Sequence, residues 1–302
     1  MKHFDASDTN FQDVALESTV KDFFSLLKPR VMFLVVFSSL AGLLVAPTKM
    51  HPLIASIAII CIMLGSGAAA VLNMWYDSDI DAIMERTKLR PLPRGAISRE
   101  TAFHFGISLA VISVLIMGLV VNILSACLLA FSIFFYVVIY TIWLKRSTTS
   151  NIVIGGAAGA IPPVIGWAAA SNNITYESLS LFLIIFLWTP PHFWALSLKI
   201  MDEYKKVKVP MLPVVKGVLH TQKQILFYSI LMVISTYLPY FLGLNGIIYL
   251  SSTTILNIIF IYLSYKIYKS DSPKIYMALF SYSIIYLFLL LSIIVIDHLF
   301  WI

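Results

Sequence analysis

Long apolar runs follow one another along the chain, separated by polar segments that hold nearly all of its charge. A membrane-crossing helix needs about 20 mostly apolar residues. Nine runs qualify, at roughly 31–47, 53–76, 103–121, 123–143, 152–171, 178–198, 224–243, 246–266 and 275–297. The third and fourth are joined by little more than Asn122. The fifth contains Pro162-Pro163 and the sixth Pro190-Pro191. Proline is tolerated in a membrane helix when neighbours satisfy the freed carbonyls, so both are expected as kinked helices. The pattern predicts an all-α polytopic membrane protein, a bundle of nine transmembrane helices.

Composition agrees. Of 302 residues, 60% are hydrophobic and 12% charged, with a mean hydropathy of +0.90. A soluble domain has about 45–50% apolar and about 25% charged residues. A soluble enzyme, a disordered chain and a disulfide scaffold are thereby excluded. Cys61 and Cys127 lie inside apolar runs with no CxxC spacing and read as small packing residues.

The charges sort to one side. Of 21 Lys and Arg residues, 20 fall in the amino segment and in the loops after spans two, four, six and eight; only Lys49 falls opposite. The positive-inside rule makes the basic side cytosolic, with the amino end inside and the carboxyl end outside. The net charge of +6 belongs to these loops rather than to nucleic-acid binding. Residues 1–30 hold four basic and five acidic side chains, unlike an Arg-rich, acid-poor transit peptide. No cleavable apolar run precedes the first span. The expected organisation is a polar, disordered tail over residues 1–27, then one transmembrane domain over 28–302, in a bacterial cytoplasmic membrane.

Two loops on the basic side carry chemistry. In the first, Asn73, Asp77 and Asp81 are spaced i, i+4 and i+8. On a continuous helix they share one face, with Asp81 rotated about 80° from Asn73. Three oxygen donors in a row suit Mg²⁺, which takes one or two carboxylates and completes its shell with waters and phosphate oxygens. Arg86, Lys88, Arg90 and Arg94 follow directly. Acids followed by cationic forks describe a site for a metal-bound polyphosphate. Carboxylates at a membrane boundary are costly and tend to be functional.

The second loop places Asp202 beside Tyr204, with Lys205, Lys206 and Lys208 following. It lies after Trp188-Thr-Pro190-Pro191-His192-Phe193-Trp194. There the diproline is expected to break the helix, and the aromatic neighbours of His192 suit a flat apolar ligand such as a porphyrin. Lys145-Arg146 with Asn151 forms a third, short basic loop. Lys28-Pro29-Arg30 opens the first span and reads chiefly as an interfacial anchor, with reach to a phosphate as the alternative. Gly155, Gly156, Gly159 and Ala160 are spaced for close helix packing, and Asp297 and His298 read as interfacial.

The Asn-x-x-x-Asp-x-x-x-Asp pattern within a nine-span chain resembles the intramembrane UbiA-type prenyltransferase superfamily. More narrowly, the segments 73–90, 144–146, 155–166, 188–197 and 204–217 resemble the branch of it that farnesylates protohaem IX. The resemblance implies a helical bundle around a central cavity, with farnesyl diphosphate and protohaem IX as substrates. It implies haem O and diphosphate as products, haem A synthase as a possible downstream partner, and membrane lipid as the surroundings. It makes Asn73, Asp77, Asp81 and Asp202 the catalytic and Mg²⁺-holding set. Arg86, Lys88, Arg90, Lys145 and Arg146 join the diphosphate site on charge and position. The superfamily's second motif is Asp-x-x-x-Asp, whereas here Asp202 is followed four residues later by Lys206, which would neutralise diphosphate directly. His192 is the expected haem-binding residue. Two alternatives stay open at this point: a prenyltransferase with a quinone or chlorin acceptor, and a secondary transporter.

Overall fold

The computed structural model describes residues 18–301, with side chains to residue 300. Residues 1–17 of the expected disordered tail lie outside the described residues. The end of that tail is helical: α1, Val20–Leu26, opens with a reciprocal capping box between Thr19 and Asp22. A bend of 54° separates it from α2, Pro29–Leu44. The break has a local cause. Pro29 offers no N–H and disfavours a right-handed helical conformation at the residue before it. Lys28 accordingly sits in the left-handed region, at φ 53° and ψ 59°.

Next come α3, Pro52–Tyr76, and the short α4, Ser78–Ile83. α5, Arg99–Ile116, passes into a π-helical turn at Met117–Val121. α6, Ile123–Phe134, continues as a π-helix over Phe135–Leu144. The Asn122 carboxamide oxygen accepts from Ser125 N at 2.8 Å, starting α6, and its NH₂ donates to the Ala168 and Ala169 carbonyls. Then follow α7, Asn151–Ala160, and α8, Pro162–Ser171, divided at the diproline but counted as one span. α9, Tyr176–Lys199, contains Pro190 and Pro191 and still runs to Lys199. The expected break at the second diproline is therefore absent. Two lost helix donors do not end a helix whose faces pack against α7, α12 and α15. The chain ends with α10, Met201–Lys206; α11, Leu212–Lys216; α12, Val218–Ser235; α13, Leu238–Phe241; α14, Ile247–Lys269; and α15, Pro273–Trp301.

Among the described residues, eight helices or helix pairs are long and apolar enough to cross a membrane, and the bent α1–α2 pair makes a ninth. Among the described residues there is no strand. The α7–α8 span and α9 are the most enclosed, whereas α5 and α6 turn most of their surface outward. Ile107, Val111, Leu115 and Leu119 form an exposed apolar stripe at four-residue spacing on α5 and its π turn, as lipid contact requires. The protein is a multi-pass membrane protein.

Close approach of α2 and α8 depends on two glycines. A Cβ on Gly42 would lie 2.1 Å from the Pro163 carbonyl oxygen, and one on Gly166 would lie 1.9 Å from that of Ser39. Gly155 packs against the Tyr140 ring and Gly156 against Thr189, as expected. Gly159 departs from that expectation, since a Cβ there meets nothing within 4 Å. Asp297 and His298 also depart: both are buried rather than interfacial. Asp297 accepts from Gly246 N, Tyr249 N and the Asn245 amide, and so caps the start of α14.

Candidate active site

The end of α3 and the whole of α4 form a nearly continuous helical stretch. Asp77 N bonds the Asn73 carbonyl at 3.0 Å, and Asp81 N bonds the Asp77 carbonyl at 2.9 Å. That keeps Asn73, Asp77 and Asp81 in one row, with exposures of 5%, 1% and 4%. Polar groups buried so deeply need partners. Asn73 uses its whole carboxamide: its NH₂ donates to Asp77 Oδ2 at 2.8 Å and Thr141 Oγ1 at 3.0 Å, and its oxygen accepts from Lys28 Nζ at 2.7 Å. Asp77 pairs with Lys145 and, at 3.3 Å, with Arg146. Arg146 also grips Asp79 through two bonds of 2.7 Å and lies over the Tyr76 ring. Asp81 pairs with Arg90 at 2.6 Å. Four cations thus meet three carboxylates and one carboxamide.

Local structure delivers each cation. Thr87 Oγ1 donates to the Asp81 carbonyl at 2.9 Å, and turns at Thr87 and Arg90 bring Arg90 back to Asp81. The π-helical register of Phe135–Leu144 faces Thr141 toward Asn73, and Thr141 Oγ1 donates to the Tyr136 carbonyl five residues back. Buried Asn151 donates to the Lys145 carbonyl at 3.1 Å, holding the turn that aims Lys145 and Arg146.

The outer charges go elsewhere. Lys88 makes a local pair with Glu85 at 2.5 Å. Arg94 pairs with Asp22 and ties α1 to the loop. Arg86 is exposed and acts electrostatically on the buried Tyr204 hydroxyl, as do Arg90 and Asp81. The second loop is anchored by Tyr204, Val209, Met211 and Leu212, which are buried in one cluster with Ile80 and Met84 of the first. Asp202 and Lys206 are exposed. Among the described residues Asp202 makes no ion pair, and no three His, Cys, Asp or Glu side chains form a metal-sized group. The structure brings Asn73, Asp77 and Asp81 together and leaves Asp202 outside their cluster.

Four groups in these loops have shifted acidities, among them Glu85, which its hydrogen bond from Lys88 lowers. The Arg146 guanidinium bound to Asp79 holds that carboxyl below its usual 3.8, and Asp79 in turn raises Arg146. Burial raises Tyr204.

His192 lies on α9 inside an aromatic stack, 4.3 Å from Trp188 and 4.7 Å from Phe280 between ring centroids. Its Nδ1 is 2.6 Å from Ser283 Oγ. The Ser283 hydroxyl donates its one hydrogen to the Phe280 carbonyl at 2.6 Å. In the tautomer in which the serine oxygen accepts from Nδ1–H, Nε2 keeps a free lone pair. Phe193 meets the ring edge-on, whereas Trp194 turns into the core against Tyr228. No hydrogen bond or ion pair joins His192 to the acid row among the described residues.

Sequence reasoning missed two participants and ranked the role of a third, Lys28, too low. Asp79 and Thr141 look like ordinary boundary residues. Lys28 turns inward rather than anchoring at the interface, and its only signal is its place before Pro29.

The donor set fits a hard divalent cation: two carboxylates and a carboxamide oxygen face the same side, and all are already held by positive groups of the protein. Residues 35–294 match the UbiA prenyltransferase family. A protein named protoheme IX farnesyltransferase from Rickettsia bellii is 54% identical over 273 residues, covering 90% of this chain and 91% of its own. One of the same name from Bartonella henselae is 52% identical over 294 residues, covering 96% and 94%. Among solved structures, one of a digeranylgeranylglyceryl phosphate synthase superposes with a TM-score of 0.77 at 22% identity, covering 92% of this chain and 98% of that one. A UbiA homologue from Archaeoglobus fulgidus bound to GPP and Mg²⁺ gives 0.63 at 16% identity, covering 90% and 99%.

Proposed function

This chain belongs to the UbiA prenyltransferase family, and from that premise we propose that its buried acid row receives the diphosphate of farnesyl diphosphate. The reaction is transfer of the farnesyl group to a vinyl group of protohaem IX with addition of water, giving haem O and diphosphate. Relatives at 52–54% identity carry the name of that activity. The observation that carries the residue-level reading is the row Asn73, Asp77 and Asp81, buried at one end of the bundle and ringed by Lys28, Arg90, Lys145 and Arg146. A transporter reading has no place for such a site in a prenyltransferase family member.

The chemistry follows from charge. The allylic C–O bond breaks with its electron pair passing to the diphosphate, so negative charge grows on the leaving oxygens. Arg90, Lys145 and Arg146 neutralise that charge from fixed positions. Arg86 and Lys206 extend the positive rim, and Lys88 contributes once it leaves Glu85. Asn73, Asp77 and Asp81, with Asp202 of the second loop, would hold Mg²⁺, and the bound ion would supply Lewis-acid stabilisation of the same oxygens. The farnesyl C1 then bonds the terminal vinyl carbon of protohaem. Water adds to the cation left beside the ring and releases a proton. Apolar walls keep water from the allylic cation before that step.

On the acceptor side, His192 steers protohaem through Nε2, the nitrogen whose lone pair the Ser283 bond leaves free. The 20 basic residues on one side support an acid row that faces the cytosol, and we infer a bacterial cytoplasmic membrane from the bacterial relatives. A haem A synthase would consume the product.

The test is product identity. Membranes bearing the protein, given protohaem, farnesyl diphosphate and Mg²⁺, yield a haem heavier by one farnesyl group plus water. An unchanged haem beside another prenylated acceptor would refute the acceptor assignment.

A further inference from the structure

The acid row carries its own counter-charge. Arg90, Lys145 and Arg146 already balance Asp77, Asp79 and Asp81, and Lys28 stands beside them as a fourth basic group. A bare divalent cation finds no net negative charge there, because each donor residue already holds a cationic side chain. An anionic diphosphate meets attraction. Lys28 stands apart from the other three cations. It bonds a neutral carboxamide oxygen rather than a carboxylate, and Asp77 and Asp81 attract it only through space. Its ammonium occupies one of the two lone pairs of the oxygen that Asn73 would offer a metal, while the NH₂ of that carboxamide is spent on Asp77 and Thr141. It also pivots on a left-handed residue before proline, a costly conformation for a non-glycine side chain. Arg30, two residues on, is exposed and makes no such bond among the described residues.

We propose that Lys28 is the resident cation of the Asn73 oxygen, and that it yields this oxygen to the metal only when diphosphate draws the ammonium onto its own oxygens. This deepens the diphosphate reading above and rests on it. Metal and diphosphate then enter as a coupled pair, each favouring the other through the same lysine.

The experiment measures binding, not turnover. Free Mn²⁺ is followed by its paramagnetic resonance signal as it is titrated into solubilised protein without diphosphate. Binding of farnesyl diphosphate in the presence of Mg²⁺ is measured in parallel. Lys28→Met removes the cation but keeps an unbranched side chain, so the hinge conformation costs the same. In that variant, affinity for Mn²⁺ alone rises by about tenfold, the scale of one charged hydrogen bond removed from competition. Affinity for farnesyl diphosphate falls. Lys28→Arg keeps Mn²⁺ binding at the wild-type level. A structural role would lower both affinities, so unchanged or weakened Mn²⁺ binding in Lys28→Met overturns the proposal. Lys28→Gln repeats the test should the methionine variant fold poorly. Wild-type protein that binds no farnesyl diphosphate would instead refute the diphosphate site itself.

Discussion

Adding one methyl group to Gly166 tests whether the position of α2 governs the distant acid row. A Cβ there would lie 1.9 Å from the Ser39 carbonyl oxygen and 3.1 Å from Leu43 N. Side-chain carbons essentially never approach closer than 3.0 Å, so α2 and α8 must separate by at least 1.1 Å. The obstacle is backbone, which has no rotamer to change. Overpacking of this kind costs about 1–3 kcal/mol. The same shift reaches the site, because α2 begins at Pro29 and Lys28 is its first anchor, 2.7 Å from Asn73. A displacement of about 1 Å there costs on the order of 10²-fold in rate. The assay pairs thermal melting of solubilised protein with haem O formation. Gly166→Ala melts lower and turns over far more slowly. Gly159→Ala, whose Cβ meets open space, melts at or above the wild-type temperature. Equal melting and turnover for Gly166→Ala and wild type would refute the close approach and its link to the site.

Three further outcomes follow from single residues. Asp297→Ala strands the Gly246 and Tyr249 N–H groups at the start of α14, costing about 2 kcal/mol and lowering the melting temperature by roughly 4–8 °C; no change in melting would contradict the cap. Asp79 titrates below its unfolded value, so its pairing with Arg146 stabilises the fold above ~pH 4 and loses that effect as pH falls through the folded value. The stability gap between wild type and Asp79→Asn is therefore constant from neutral pH to about pH 5 and closes in stronger acid; a gap that widens in acid would reverse the sign. His192→Ala weakens protohaem binding while farnesyl diphosphate binding stays intact, and Ser283→Ala weakens it less; equal haem affinity in all three proteins would remove His192 from the acceptor site.

Much of this architecture can be read from residue order alone. The spans declare themselves because lipid demands about 20 apolar residues at a time. The row Asn73, Asp77 and Asp81 is visible because helical periodicity puts i, i+4 and i+8 on one side. Other features depend on what lies across from a residue. Pro190 and Pro191 look like a helix end, yet α9 is enclosed by α7, α12 and α15, and that packing overrides the lost bonds. Nothing local marks Phe135–Leu144 as π-helical, so the placement of Thr141 against Asn73 is invisible from its own sequence. Lys28 reads as an anchor because a lysine beside a span usually reaches for headgroups; only Asn73 explains why it turns inward. Asp297 sits at a span end like many interfacial acids, but its partners lie about 50 residues away along the chain.

The most direct measurement compares wild type with Asp77→Asn for three quantities in one preparation: protohaem bound, diphosphate released and haem O formed. Asp77 is 1% exposed and is the one carboxylate of the row paired with two cations. Wild type should release one diphosphate for each haem O. The variant should bind protohaem normally while diphosphate release and haem O formation fall together, by on the order of 10²-fold or more. Undiminished haem O formation by Asp77→Asn would contradict the assignment of the acid row as the site of diphosphate departure.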